Sequence, residues 1–250
     1  MSTRPPAKLP PPNQRPPSPR AGRRQQAGQP SLRDIAYDLI KHRITTCAYK
    51  PGEYLNEAFV SANLGIGRTP VHQALDRLML EGLVDVIPRK GVIVKPISLD
   101  EVMQIIEVRT LNECYGVRLA AANASPDQVA RLTDILTRTA QWIAARNNEE
   151  IMMLDREFHG VLAQASRNDV LAEHLGRLHD RSIRFWALSL TTPGHHQAVQ
   201  EQHQAILAAI RDRDPAGAEQ AMRAHIEDFR NNITRSVAPG IAAGGNRAVG

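Results

Sequence analysis

The sequence predicts a mainly α protein in two parts: a small helical module closed by a β-hairpin, then an all-α antiparallel helical bundle. Three observations carry that expectation. Helix-like segments before Gly82 give way to two short β-branched runs, Val84 to Ile87 and Val92 to Lys95, joined by Pro88-Arg89-Lys90-Gly91. After Pro96 the apolar spacing is helical throughout. Aromatic residues make up only 4% of the chain, so its cores must be assembled from Leu, Ile, Val and Ala.

Residues 1–30 carry nine of the 17 prolines and six Lys or Arg (Arg4, Lys8, Arg15, Arg20, Arg23, Arg24), with no acid. A segment so poor in large apolar residues cannot bury enough surface to fold, and it reads as a disordered basic tail. The net charge of +5 sits there, which leaves the remainder close to neutral. Basicity of the folded part is therefore no argument for nucleic acid, although the tail adds phosphate attraction.

Structure is expected to begin at Ser31, with Asp34 three positions on, and to run through Ile35, Leu39, Ile40 and Ile44 until Lys50-Pro51-Gly52. A short helix follows near Asn56 to Leu64. Gly65-Ile66-Gly67 makes a tight turn, and the next helix spans Arg68 to about Glu81. The hairpin closes a first domain at 31–96. Ser98 with Glu101 and Ser125 with Gln128 open the second, at 97–237, as capping boxes. Further helix starts stand at Asn148, Asn168 and Asp214-Pro215, with a break at Pro193-Gly194, for about six helices. Residues 238–250, rich in Gly and Ala, read as a flexible tail.

Cys47 and Cys114 are far apart and form no ligand motif, which points to a reducing compartment. No run approaches a membrane span, and the N-terminus lacks the apolar core of a secretory signal. The expected location is the cytoplasm, with no membrane partner.

Helix, short helix, turn, helix, hairpin is the order of a winged helix-turn-helix, which lays one helix in the major groove and reaches a neighbouring groove or backbone with the hairpin. The third helix opens with Arg68-Thr69-Pro70-Val71-His72. Arg68 can fork onto guanine or phosphate, Thr69 can bond phosphate at a helix N-terminus, and His72 shares the face of Arg68 one turn on. Arg89, Lys90 and Gly91 form the basic hairpin tip. The plain alternative for Arg68, His72 and Arg89 is solvated charge.

In the second part, Ile151, Phe158 and Leu162 make an apolar stripe that also contains Asp155 and His159. His203 falls among Val199, Ile206, Leu207 and Ile210. His225 falls among Met222, Ile226, Phe229 and Ile233. An acid on a core face is costly unless paired or coordinated, and bundles build metal sites from such facing side chains. His174 also lies on an apolar stripe, so position alone does not select the set. Arg109 lies on the stripe of Val102, Ile105 and Ile106, where a buried guanidinium wants an anion, either an effector or simply a neighbouring acid. Arg184 is a weaker effector candidate, because Asp180 and Glu173 offer it ordinary pairing.

Taken together, Pro51-Gly52 with Leu55, Leu64-Gly65-Ile66-Gly67-Arg68-Thr69-Pro70-Val71, Ala74-Leu75, and Glu81-Gly82-Leu83-Val84 leading to Arg89-Lys90-Gly91 resemble the GntR family of bacterial regulators. Nearly the whole ordered chain resembles its FadR-type branch, whose C-terminal FCD domain is all-helical. Gly67 stands where the family has Ser or Thr, and His72-Gln73 where it has Arg-Glu; the second change implies an altered operator preference. Many members of the branch hold a metal with one Asp and three His, and the resemblance selects Asp155, His159, His203 and His225. Zinc comes first for such a set, with nickel, iron, manganese and cobalt also suited. The resemblance further assigns Arg109, followed by Glu113, to an effector carboxylate, with Asn112 in place of the usual Leu.

The expectation is thus a transcriptional regulator, a repressor by family habit. It binds a near-palindromic double-stranded DNA operator as a homodimer and responds to a small organic acid. Two alternatives remain: a purely structural metal site, and a metal-dependent hydrolase fused to a DNA-binding module. The second lacks a base, since Glu157 lies near the far side of its helix. No enzyme is expected.

Overall fold

Ser31 caps the first helix by accepting a hydrogen bond from the Asp34 amide, so α1 (Leu32–Thr45) starts where the sequence places it. The computed structural model describes residues 30–88, 91–189 and 194–244, with the side chains of 187–189 and 236–244 outside that description. The expected basic tail, the hairpin residues Arg89 and Lys90, and residues 245–250 lie outside the described residues.

α1 buries Ala36, Tyr37, Ile40 and Ile44, while Leu39 turns outward. Asn56 accepts from the amides of Ala58 and Phe59 to start α2 (Glu57–Leu64), which ends at Gly65 with φ 64°. That positive φ favours glycine because no Cβ meets the carbonyl. α3 (Arg68–Leu80) buries Val71, Ala74, Leu75 and Leu78 against α1 and α2.

The hairpin strands are β2 (Val84–Ile87) and β3 (Gly91–Val94). A two-residue strand that the sequence reading lacks, β1 (Tyr54–Leu55), pairs antiparallel on the other side of β3, giving the order β1-β3-β2. Its register sets Tyr54 opposite Ile93 and Leu55 opposite Val92. Two residues carry no periodicity, so only the partner strand reveals them.

The bundle comprises α4 (Leu99–Asn123), α5 (Pro126–Ala145), α6 (Asn148–Ala165), α7 (Asp169–Ser189), α8 (His195–Arg211) and α9 (Pro215–Gly244). Ser125 and Gln128 form a complete capping box at α5. Asn147, Asn168 and Asp214 accept amide hydrogen bonds at the starts of α6, α7 and α9. α9 continues to Gly244 instead of stopping near 237, and packs along α4. Val117, Leu132, Phe158, Ile206, Met222 and Ile226 lie in the shared core.

α7 also touches α1. There the buried Asp180 carboxylate meets Lys41 Nζ at 2.5 Å and Arg156 Nε at 2.5 Å. Lys41 also reaches Glu81, which accepts from the Tyr37 hydroxyl. A charged relay therefore joins the first module to α6 and α7.

Candidate metal centre and DNA-facing helix

α6 presents Asp155 and His159 one turn apart on its inward face, with Phe158 buried beside them. α8 brings His203 and α9 brings His225 to the same spot. The ring centres of His159, His203 and His225 lie 4.7 to 5.4 Å apart. One nitrogen from each falls within 4.8 Å of the others. Asp155 Oδ1 is 3.6 Å from His203 Nε2. The four residues singled out in the sequence thus converge.

A fifth residue, His179 on α7, stands with them. It is buried, its ring centre is 4.8 Å from that of His159, and its Nε2 lies 3.3 Å from Asp155 Oδ2. Asp155, His159 and His179 form a second close triad. The sequence reading passed over His179, although the signal was present: it lies four residues from both Leu175 and Ile183, each buried.

Neighbouring side chains orient the rings. His159 Nδ1 donates to Glu113 Oε2 at 2.9 Å, and His225 Nδ1 donates to Gln202 Oε1 at 2.8 Å. Each bond leaves Nε2 as the outward lone pair, the arrangement that supports metal-bound histidine. Arg109 Nε donates to Glu113 Oε1 at 2.5 Å and Arg109 Nη1 to Ser182 Oγ at 3.0 Å. Arg109, with 4% exposure, therefore acts first on Glu113 and through it on His159.

Electrostatics favour a ligating state. Burial pushes His203 down to about 3, and lowers His179 and His225 as well. Burial alone would raise the Asp155 carboxyl, but His179, His159 and His203 around it pull it far below the usual range. Glu113 is raised by burial and lowered more strongly by Arg109 and His159. Burial thus biases His179, His203 and His225 toward the neutral form, with lone pairs available, around an ionised Asp155 carboxylate.

His159 Nε2, His203 Nε2 and both ring nitrogens of His179 are buried without a hydrogen-bond partner. A buried polar atom left unpaired costs about 1–3 kcal/mol. Four such atoms in one cluster are uneconomical for a core and natural for a cation site. The residues present therefore fit a divalent transition metal.

Two cavities flank the cluster. A tight one of about 30 Å³ touches Arg109, Asp155, His159, His179, His225 and Phe229. A larger one of about 350 Å³ lies between α4, α6 and α7, bounded by Glu113, Arg156, His159 and His179 and by Gly116, Gly160 and Gly176. At Gly160 and Gly176 a Cβ would meet nothing within 4 Å, so these glycines hold space open.

Arg184 borders neither cavity. It is buried at the seam between the modules, where Nη1 donates to the Lys95 carbonyl at 2.9 Å. The expected pairing with Asp180 is absent because Lys41 and Arg156 occupy that carboxylate. The break at Pro193-Gly194 predicts solvated rings at His195 and His196, and the structure corrects this: His195 is buried and accepts from Trp186 Nε1 at 2.7 Å, and His196 is half-buried with Nε2 3.1 Å from Asn148 Oδ1. Helix α8 starts immediately after Gly194 and draws both rings inward. Glu157 pairs with Arg131 at 3.1 Å, away from the cluster.

On the other module, Arg68, Thr69 and His72 are all exposed at the N-terminal end of α3. Gly67 caps that helix without a side-chain bond, which leaves its first amides open to an anion. His72 sits between Glu57 Oε1 at 3.0 Å and Asp76 Oδ2 at 3.6 Å. The bond to Glu57 and the charge of Asp76 raise its pKa. Gly91, with φ 97°, begins β3 beyond the hairpin tip.

Comparison with known proteins gives these features a context. Residues 32–94 match "Bacterial regulatory proteins, gntR family" and residues 104–228 match "FCD domain". The Nta operon transcriptional regulator of Aminobacter aminovorans is 30% identical, over 74% of this chain and 86% of that protein. The HTH-type transcriptional repressor RspR of Escherichia coli is 27% identical, over 79% and 86%. The solved structure of E. coli McbR/YncC shares the fold, with TM-score 0.76 and 23% identity over 83% of this chain and 99% of that one. Among the described residues no helix is long and apolar enough to cross a membrane. An N-terminal winged helix-turn-helix joined to a helical FCD domain, with regulators as relatives across most of its length, places this chain in the GntR family of DNA-binding transcriptional regulators.

Proposed function

We propose that this regulator is an operator-binding repressor, active as a homodimer, whose DNA affinity is set by a small carboxylate effector at a divalent transition metal in the FCD domain. Asp155, His159, His203 and His225 would hold the metal, with zinc, nickel, iron, manganese and cobalt all chemically suited. Bound there, the metal supplies an electrophilic position for a carboxylate oxygen. The observation that carries this reading is the set of buried, unpartnered imidazole nitrogens facing the Asp155 carboxylate.

Arg109 reaches the wall of the small cavity with its charge paired to Glu113, and through Glu113 it steadies His159. Arg184 is better cast as a tie between modules than as an effector contact, given its bond to Lys95. Arg68, Thr69 and His72 would read and position the major groove, with Arg89, Lys90 and Gly91 as the wing contact. Support for the dimer comes from α4, where Val108, Leu111 and Tyr115 are exposed along one face. Repression is favoured by the RspR relative, which is a transcriptional repressor.

Effector binding shifts the regulator only if affinity differs between DNA-competent and DNA-incompetent states. A nearly complete switch requires about 5 kcal/mol of difference. The test is metal analysis of the purified protein, then operator gel shifts with and without sugar acids, hydroxy acids and dicarboxylates. Substoichiometric metal after loading, or retention on the operator unchanged by any acid, counts against the reading.

One observation favours a second reading, a purely structural metal: the cavity on the Arg109 side, at about 30 Å³, holds little more than one water. Chelation separates the two. If removing the metal lowers Tm yet leaves effector response intact, the metal is structural.

A further inference from the structure

The two donor triads share one residue, His159. Its Nδ1 is committed to Glu113, so one nitrogen remains for a cation. Two triads that meet at a single lone pair cannot serve two separate ions. They describe one centre, and the second triad adds His179 to it. The two nitrogens of His179 are buried without a hydrogen-bond partner, and Nε2 lies 3.3 Å from Asp155 Oδ2.

Resting on the metal reading above, we propose that His179 is a fifth protein ligand, giving one carboxylate and four imidazoles around a single metal. Helices α6, α7, α8 and α9 each contribute. Five nitrogen and oxygen donors exceed a closed tetrahedron and suit a six-coordinate ion. This shifts the preference from zinc toward nickel, cobalt, iron or manganese. Six-coordination then leaves one position, so the effector class is an acid that binds through a single oxygen rather than as a chelate. The larger cavity, walled by His159 and His179 and kept open at Gly160 and Gly176, supplies room for its carbon body.

The test loads the full-length native protein with nickel(II) and counts imidazoles per metal by X-ray absorption. Four are expected in the native protein and three in His179→Ala, with nickel affinity about tenfold weaker or more in the variant. In His179→Gly, added imidazole should restore the fourth. Three imidazoles in the native protein, or an identical count with and without His179, overturns the proposal while leaving the metal reading intact. A native protein that holds none of nickel, zinc, cobalt, iron or manganese after loading overturns both. If His179→Ala fails to fold, the native count alone decides.

Discussion

Arg68 and His72 share one exposed face of α3, yet their chemistry differs. Arg68→Ala should remove a charge-assisted contact worth about 1–3 kcal/mol and relax operator specificity, with an unchanged circular dichroism spectrum and thermal melt. His72 is conditional. Glu57 and Asp76 raise its pKa, so the charged form survives above the ordinary histidine value of 6.5. Any phosphate attraction it provides is full at low pH and lost as pH rises through the raised pKa. Operator affinity should therefore fall with rising pH at constant salt, and His72→Gln should flatten that slope in gel shifts. In the sensing domain, His203→Ala should reduce bound metal and blunt effector response without removing DNA binding. Metal content equal to native would defeat the assignment of His203. Arg68 and His72 were legible from their spacing at the start of one helix, whereas spacing put His203 only on a buried face and the family resemblance picked it out.

At the scale of elements, α7 has a double duty. His179 faces the histidine cluster, and the next residue, Asp180, grips Lys41 of α1 and Arg156 of α6. A change around His179 has a one-residue path to the seam with the DNA-binding module. Asp180→Ala strips the shared anion from two cations. We expect a loss of about 2–3 kcal/mol, below the value for a fully buried pair because Arg156 is partly exposed. Urea denaturation measures it, and a loss under 0.5 kcal/mol would remove Asp180 as a structural tie. α4 carries the other element-level expectation. Val108, Leu111 and Tyr115 form its exposed apolar face, so Leu111→Glu should shift the protein toward monomer in sedimentation. The sequence put His174 on the apolar stripe of α7, but His174 is exposed and His179 is buried; the partners of α7 were out of reach as well, since Lys41 lies far away in the chain.

For the whole molecule, a metal bound only to the folded state stabilises it by mass action. Chelation should lower Tm, and under the sensor reading it should also abolish the effect of acids on operator binding. Both modules were readable from the chain alone: caps, apolar spacing and the turn at Gly65-Ile66-Gly67 are local, and local preferences act wherever the chain goes. Helical spacing put the aspartate and histidines on inward faces, but the choice of those four came from the family resemblance, since the same spacing also pointed to His174, which is exposed. What only the tertiary structure decided is which long-range neighbours meet: β1 against β3, Arg109 on Glu113, Arg184 at Lys95, His195 under Trp186, and His179 beside Asp155. Helical period places a residue on a face. It does not say which other helix that face will touch, because that depends on how six helices share one core.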